Sequence, residues 1–162
     1  YLKIISAKTA ELFAAATKVG AILSNMKNKE KEALEFYGRN LGLTFQIADD
    51  TLDYNSELKL FGKKVGQDFY EGKITLPIIL LFQKANNQEK GNLKEFFLKG
   101  VRDINDLNYT LTLIKKYNVV KACYKKAEHY INLASNSLSL FDDCEEKSIL
   151  ESLTSFSLER NF

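Results

Sequence analysis

Tryptophan is absent and proline occurs once, at Pro77, so long stretches of the chain run without a helix breaker. Cysteine occurs twice: Cys123 and Cys144 are too few and too far apart for a zinc cluster, and unpaired cysteines suit a reducing compartment, so a cytoplasmic protein is expected. The single histidine, His129, has no acid or cysteine at ligand spacing and reads as structural or exposed. No charge of one sign dominates. A net charge of +2 supplies no basic field, and the aromatics are not interleaved with arginine, which excludes nucleic acid as a partner. The longest apolar run, over residues 77–82, falls far short of a transmembrane segment, and neither a membrane span nor a signal peptide is expected.

What the chain does have is helical periodicity. Its 162 residues, 45% of them hydrophobic, suffice for one sizeable core, and a single domain over residues 1–162 is the simplest expectation. Leu2, Ile5, Leu12, Phe13, Ala16, Val19, Gly20 and Leu23 keep helical phase, predicting a core helix over residues 2–23. After a polar turn over 25–31, Leu34, Leu41, Phe45, Ala48 and Leu52 predict a second helix over 34–54, with Gly38 and Gly42 one turn apart. Charge and glycine argue against regular structure over 55–71, the expected lid or clamp. Pro77 suits the first turn of a buried helix over 75–85. Residues 86–108 read as a connection with a short helix around Leu93, Phe96, Phe97 and Leu98. From Tyr109 onward, positions from Leu113 to Leu138 predict a long helix or a broken pair. The chain opens at Tyr1, inside a helical pattern and without Met, so it is expected to be the C-terminal part of something longer.

Chemistry concentrates in the second helix and its sequel. Gln46, Asp49, Asp50 and Asp53 fall at i, i+3, i+4 and i+7, a polar stripe on a core-like element. Carboxylates one turn apart repel, and desolvating them unpaired is costly, so a cation is their natural partner. Oxygen-only ligands favour Mg²⁺ or Mn²⁺ over zinc, and Mg²⁺ held by one or two carboxylates leaves positions to water and substrate phosphate. The segments Gly62-Lys63-Lys64-Val65-Gly66-Gln67-Asp68 and Gly72-Lys73-Ile74-Thr75-Leu76-Pro77 then place cations close behind the acids. Acids for a metal and lysines for what the metal holds suggest a diphosphate. The bland alternative is a solvated acidic helix end, which leaves the lysine–glycine sequel unexplained. A calcium loop starting at Asp53 fails at Leu58 and Lys64, where Gly and Glu are required, and a Walker loop fails because Ile74 follows Lys73. Lys8 and Thr9, polar intrusions in the first helix, by themselves read as a snorkelling lysine and a helix-bonded threonine.

Taken together, DDTLD at 49–53, GKKVGQD at 62–68 and EGKITLP at 71–77 resemble the second aspartate-rich region of the all-trans polyprenyl diphosphate synthases, the head-to-tail chain-elongation enzymes. The resemblance extends upstream to Ser6-Ala7-Lys8-Thr9-Ala10-Glu11-Leu12-Phe13, similar to the family's Lys-Thr helix, and downstream to a Leu-Glu-Arg ending at Arg160. Residues 109–141 match in pattern only. It implies an all-α fold, the C-terminal part of an isoprenoid synthase-type helical bundle, in which two aspartate-rich helices face a cavity and Mg²⁺ bridges them to an allylic diphosphate. Only the second aspartate-rich motif is present here. The first, much of the isopentenyl diphosphate site and the side chains limiting product length would precede Tyr1, so this chain alone is not expected to elongate a substrate.

Carried over residue by residue, the resemblance makes Asp49 and Asp53 metal ligands, Asp50 a closely associated carboxylate of the same set, and Asp68 an outer-shell partner. Lys8, Lys63 and Lys73 hold the diphosphate, while Thr9 and Gln46 lie near the allylic carbon as charge develops; Lys8, Thr9 and Gln46 form the catalytic set. All are expected to line one cavity, walled by Phe45, the alanine face of the first helix and the run after Pro77. Lys64 and Tyr70 depart from the pattern, since relatives often have Pro and Arg there. The implied chemistry is ionisation of a carbon–oxygen bond, attack by the isopentenyl double bond and proton loss, in an enzyme expected to be a homodimer at full length. The style of the motifs resembles long-chain synthases of quinone side chains, octaprenyl or decaprenyl in type.

A second acidic cluster, Asp142-Asp143-Cys144-Glu145-Glu146, precedes the apolar-periodic segment 149–156 and reads as a helix N-terminus whose acids complement the dipole. Two other readings compete for the chain as a whole. A non-catalytic partner subunit or truncated remnant is opposed by the intact DDTLD and lysine motifs. A terpene cyclase shares the metal logic but usually lacks the GK-rich sequel.

Overall fold

The structure, a computed structural model, describes residues 1–55 and 65–159. Among these residues every regular element is a helix: α1 (Leu2–Ile5), a π-helical turn (Ser6–Ala10), α2 (Glu11–Leu23), α3 (Asn28–Leu52), α4 (Gln67–Tyr70), α5 (Leu76–Lys84), α6 (Asn87–Leu98), α7 (Ile104–Lys116), α8 (Val119–Ser137), a 3₁₀ turn (Leu138–Leu140) and α9 (Glu145–Glu159). None is long and apolar enough to cross a membrane. The expected first helix is present, but a π turn interrupts it where neither Gly nor Pro marks the sequence. Helix α3 starts earlier than its apolar pattern predicts, because Glu30 reaches back to accept from the Lys27 N–H at 2.7 Å and turns a polar stretch into a helix start.

The chain forms two compact units, one comprising Tyr1–Ala48 with the chain from Lys125 onward, the other Asp49–Tyr124. In the first, Tyr37 and Leu41 of α3 pack with Ala134 and Leu138, and Phe13, Leu34, Phe141 and Leu150 close around them. Burial drives this contact, and polar groups fix its register: Tyr37 donates to the Leu150 carbonyl at 2.8 Å, Thr17 to that of Leu34 at 2.6 Å, and Thr44 to that of Ala127 at 3.3 Å. A Cβ at Gly42 would lie 2.7 Å from the Ala10 Cα, so only glycine lets α3 approach the π turn this closely.

In the second unit Phe69 is fully buried, with its ring edge-on to Phe97 at 5.4 Å between centroids. The short connections are set by capping boxes at Asn86 with Glu89 and Asp103 with Asp106: α6 contains the expected short helix around Leu93 to Leu98, while α7 begins at Ile104, inside the stretch expected as a connection. Of the expected long helix or broken pair, the broken pair is found: Asn118, at φ 49°, separates α7 from α8. Glu89 also takes Lys116 Nζ and the Tyr117 hydroxyl, both at 2.7 Å, tying the end of α7 to the start of α6.

Candidate functional site

Two groups of candidate residues take shape, one in each unit. In the first, the π turn carries Lys8 and Thr9. A π turn widens the backbone helix and re-aims its side chains, a feature often found at functional positions. Thr9 Oγ1 donates to Gln46 Oε1 at 2.7 Å, and Gln46 is only 6% exposed. Gly42, one turn before Gln46 on α3, makes this possible by admitting Ala10 against the helix. Phe13 and Phe45 pack ring to ring, with centroids 5.7 Å apart. Lys8 is exposed. With its proton donated, the Thr9 oxygen keeps acceptor capacity.

In the second unit Asp49 and Asp50 occupy the last turn of α3, and Asp53 falls just past its end. The helix closes at Leu52 because Tyr54 and Asn55 donate back three residues, to Thr51 at 3.1 Å and Leu52 at 3.1 Å. Asp53 is therefore the first residue beyond the helix. Asp49 is exposed, while Asp50 is 5% and Asp53 6% exposed. A helix C-terminus carries partial negative charge, so acids here are unfavourable unless something offsets them. Asp53 finds backbone partners: Oδ1 accepts from Gln67 N at 3.1 Å and Oδ2 from Asp68 N at 2.8 Å. The neighbouring Tyr54 phenol is pushed well above its ordinary range by burial, and further by the charges of Asp53, Asp68 and Asp50. Burial likewise pushes the Cys123 thiol up to about 12, with Asp50 adding to the effect.

Lys73 meets this group through Asp68. Its Nζ lies 2.6 Å from Glu71 Oε2 and 3.1 Å from Asp68 Oδ1, and these carboxylates, Glu71 first, hold its ammonium above the usual lysine range. Gly72, at φ 75°, turns the chain between them, and Arg102 braces the turn by donating to the Tyr70 carbonyl at 3.1 Å and the Phe97 carbonyl at 3.2 Å. Arg102 went unnoticed in the sequence, being one arginine in a polar connection with no motif around it. Lys63 and Lys64 lie outside the described residues, as does Arg160. Among the described residues no three His, Cys, Asp or Glu side chains gather tightly enough to hold a metal by themselves. His129 is exposed beside Tyr130, with ring centroids 5.3 Å apart. The second acidic cluster opens α9, with Glu145 and Glu146 in its first turn and Asp143 paired to Lys147 at 2.8 Å.

Comparison with known proteins adds independent findings. The family model described as Polyprenyl synthetase matches residues 1–114. The chain is 34% identical over 160 residues to a short chain isoprenyl diphosphate synthase of Methanothermobacter thermautotrophicus, covering 99% of this chain and 49% of that protein. It is 31% identical over 162 residues to an octaprenyl diphosphate synthase of Haemophilus influenzae, covering 100% of this chain and 49% of that one. Among solved structures it is similar to a polyprenyl synthase from Caulobacter crescentus complexed with calcium and isoprenyl diphosphate, with a TM-score of 0.92, 37% identity, and coverage of 100% of this chain and 49% of that one. The chain thus spans about half the length of these relatives, and its all-α architecture is that part of their helical fold.

Proposed function

The chain belongs to the polyprenyl synthetase family, and from that premise we propose that it carries diphosphate-handling machinery of a Mg²⁺-dependent trans-prenyltransferase, which joins isopentenyl diphosphate to an allylic diphosphate. The observation that carries this reading is the exposed Asp49 at the C-terminal end of a 25-residue helix, where the dipole disfavours a carboxylate, in a chain whose sequel tethers Lys73 to Asp68. A cation and an anionic ligand are what such an arrangement suits. The donors are carboxylate oxygens, which fit a hard divalent ion, and Mg²⁺ bound through one or two carboxylates and substrate phosphate needs no closed cluster of three protein ligands.

In this reading Asp49 holds the metal and Asp50 sits buried beside it, adding charge. The bound ion supplies positive charge against the leaving diphosphate. Lys73, fully charged and released from Glu71 and Asp68 when phosphate oxygens compete for it, binds the same group, together with Lys63. Thr9, its proton committed to Gln46, turns oxygen lone pairs toward the allylic carbon as the carbon–oxygen bond breaks. Phe13 and Phe45 exclude water from the cation. The product belongs to the long-chain class that serves quinone side chains, and the working enzyme is a cytoplasmic homodimer. The unpaired Cys123 and Cys144 are in keeping with that compartment.

Titrating the whole chain with inorganic pyrophosphate, in Mg²⁺ and in EDTA, tests the reading. Binding that requires Mg²⁺ and is lost in Asp49→Asn supports it; binding equal in both media overturns it. Condensation by the chain alone is not expected, and Mg²⁺-dependent incorporation of isopentenyl diphosphate by the purified chain would contradict that expectation.

A further inference from the structure

Three consecutive backbone N–H groups converge on one residue of the DDTLD stretch. Gly66 N donates to the Asp53 carbonyl at 2.8 Å, Gln67 N to its Oδ1 at 3.1 Å and Asp68 N to its Oδ2 at 2.8 Å. Gly66, at φ 86°, takes the left-handed conformation that aims these donors together, and its missing Cβ leaves room for the Leu107 side chain. The α4 turn has no cap from its own N-cap residue, so the Asp53 carboxylate does that work from fourteen residues away. Two converging donors call for two acceptors on one rigid group. A carboxylate provides them, whereas an Asn amide would turn an NH₂ toward one N–H.

The turn so fixed carries functional groups. Lys73 N donates to the Asp68 carbonyl at 2.9 Å, and Lys73 Nζ reaches Asp68 Oδ1, so the ammonium is referenced to Asp68 at both ends of its residue. Asp53 is buried; Asp68 and Lys73 extend from the turn to the surface.

We propose that Asp53 is a positioning residue: its carboxylate staples the Gly66–Asp68 turn to the end of α3 and thereby sets Asp68 and Lys73 for a diphosphate. Asp49 and Asp53, equivalent in the motif, thus divide the labour, one facing the ligand and the other the backbone. The part concerning diphosphate rests on the function proposed above; the staple does not.

Amide hydrogen exchange on the whole chain tests the staple. In Asp53→Asn, exchange at Gln67 and Asp68 should rise about tenfold or more, while core amides such as Leu81 and Ile114 keep the parent's rates and Asp49→Asn changes neither. Unchanged exchange at Gln67 and Asp68 overturns the proposal. Should Asp53→Asn fail to fold, Asp53→Glu, which keeps the charge but not the reach, is read the same way. The link to Lys73 is tested by inorganic pyrophosphate binding in Mg²⁺. If Asp53 acts through the turn, Asp53→Asn added to Lys73→Ala weakens binding by no more than about twofold beyond Lys73→Ala alone. Losses that multiply mean direct ligation and overturn the positioning role. A parent chain that binds no pyrophosphate counts against the diphosphate reading, and the exchange rates then decide the staple alone.

Discussion

The two acidic clusters have nearly the same composition and opposite situations. Asp142 to Glu146 lead into α9, where the helix dipole welcomes carboxylates, and the Asp143 side chain is 99% exposed with Lys147 as its partner. Asp49, Asp50 and Asp53 stand at the other pole of a helix, where the dipole opposes them, and two of the three are buried. Acids at a helix N-terminus need no further cause than capping. Acids at a C-terminus, retained against the dipole and the desolvation cost, need a compensating partner, and here part of that compensation is the pair of N–H groups on Asp53.

The most severe way to break this comparison is to neutralise one acid in each cluster. Asp49→Asn is expected to weaken Mg²⁺-dependent pyrophosphate binding about 100-fold, the upper end of what disturbing a metal site costs, with Asp142→Asn within about twofold of the parent. Equal losses in calorimetric titration of the two variants would mean that Asp49 does not hold the metal.

Next in size is the helix that carries the first cluster. Gly42→Ala places a methyl group 2.7 Å from the Ala10 Cα and should destabilise the chain by about 1–3 kcal/mol in urea unfolding. Gly91→Ala, in α6 with nothing within 4 Å of its Cβ, should instead stabilise by roughly 0.5–1 kcal/mol. A neutral Gly42→Ala would mean that the π turn can withdraw from α3.

Glu89 extends the comparison to an acid with a complete set of partners. Lys116, then Tyr117 and the Asn86 N–H, lower its carboxyl from 4.5 to about 2. The folded-state value lies below the unfolded one, so the contribution is full above pH 4.5 and is lost as the pH falls toward 2. Glu89→Gln should melt below the parent at pH 7, and the gap in melting temperature should close between pH 4.5 and 2. A gap independent of pH would locate the effect elsewhere. The smallest effect belongs to the second cluster: Asp143→Asn removes only a solvent-screened pair with Lys147 and should leave the melting temperature unchanged, in low salt as in high.

Much of the fold was legible because helical periodicity is local. Residues three and four apart share a face whatever the rest of the chain does, so Leu34, Leu41 and Ala48 announced α3, and Pro77 the start of α5. Boundaries were harder wherever polar side chains decided them. Glu30, Asp103 and Asp106 begin helices by reaching the backbone three residues away, a bond that an apolar pattern does not register. The π turn at Ser6–Ala10 has no breaker to announce it.

The sequence by itself determined the fold class and the family. Its motifs place acids, lysines and glycines in an order that resembles one family, and its periodicity leaves little but helix. Only the tertiary structure decided which of those residues meet. Thr9 meets Gln46 across 37 positions, and Asp53 meets Gln67 and Asp68 across 14 and 15. Contacts at such separations depend on how helices pack and where a chain turns back, and DDTLD reads the same whether its last carboxylate faces a metal or a backbone N–H.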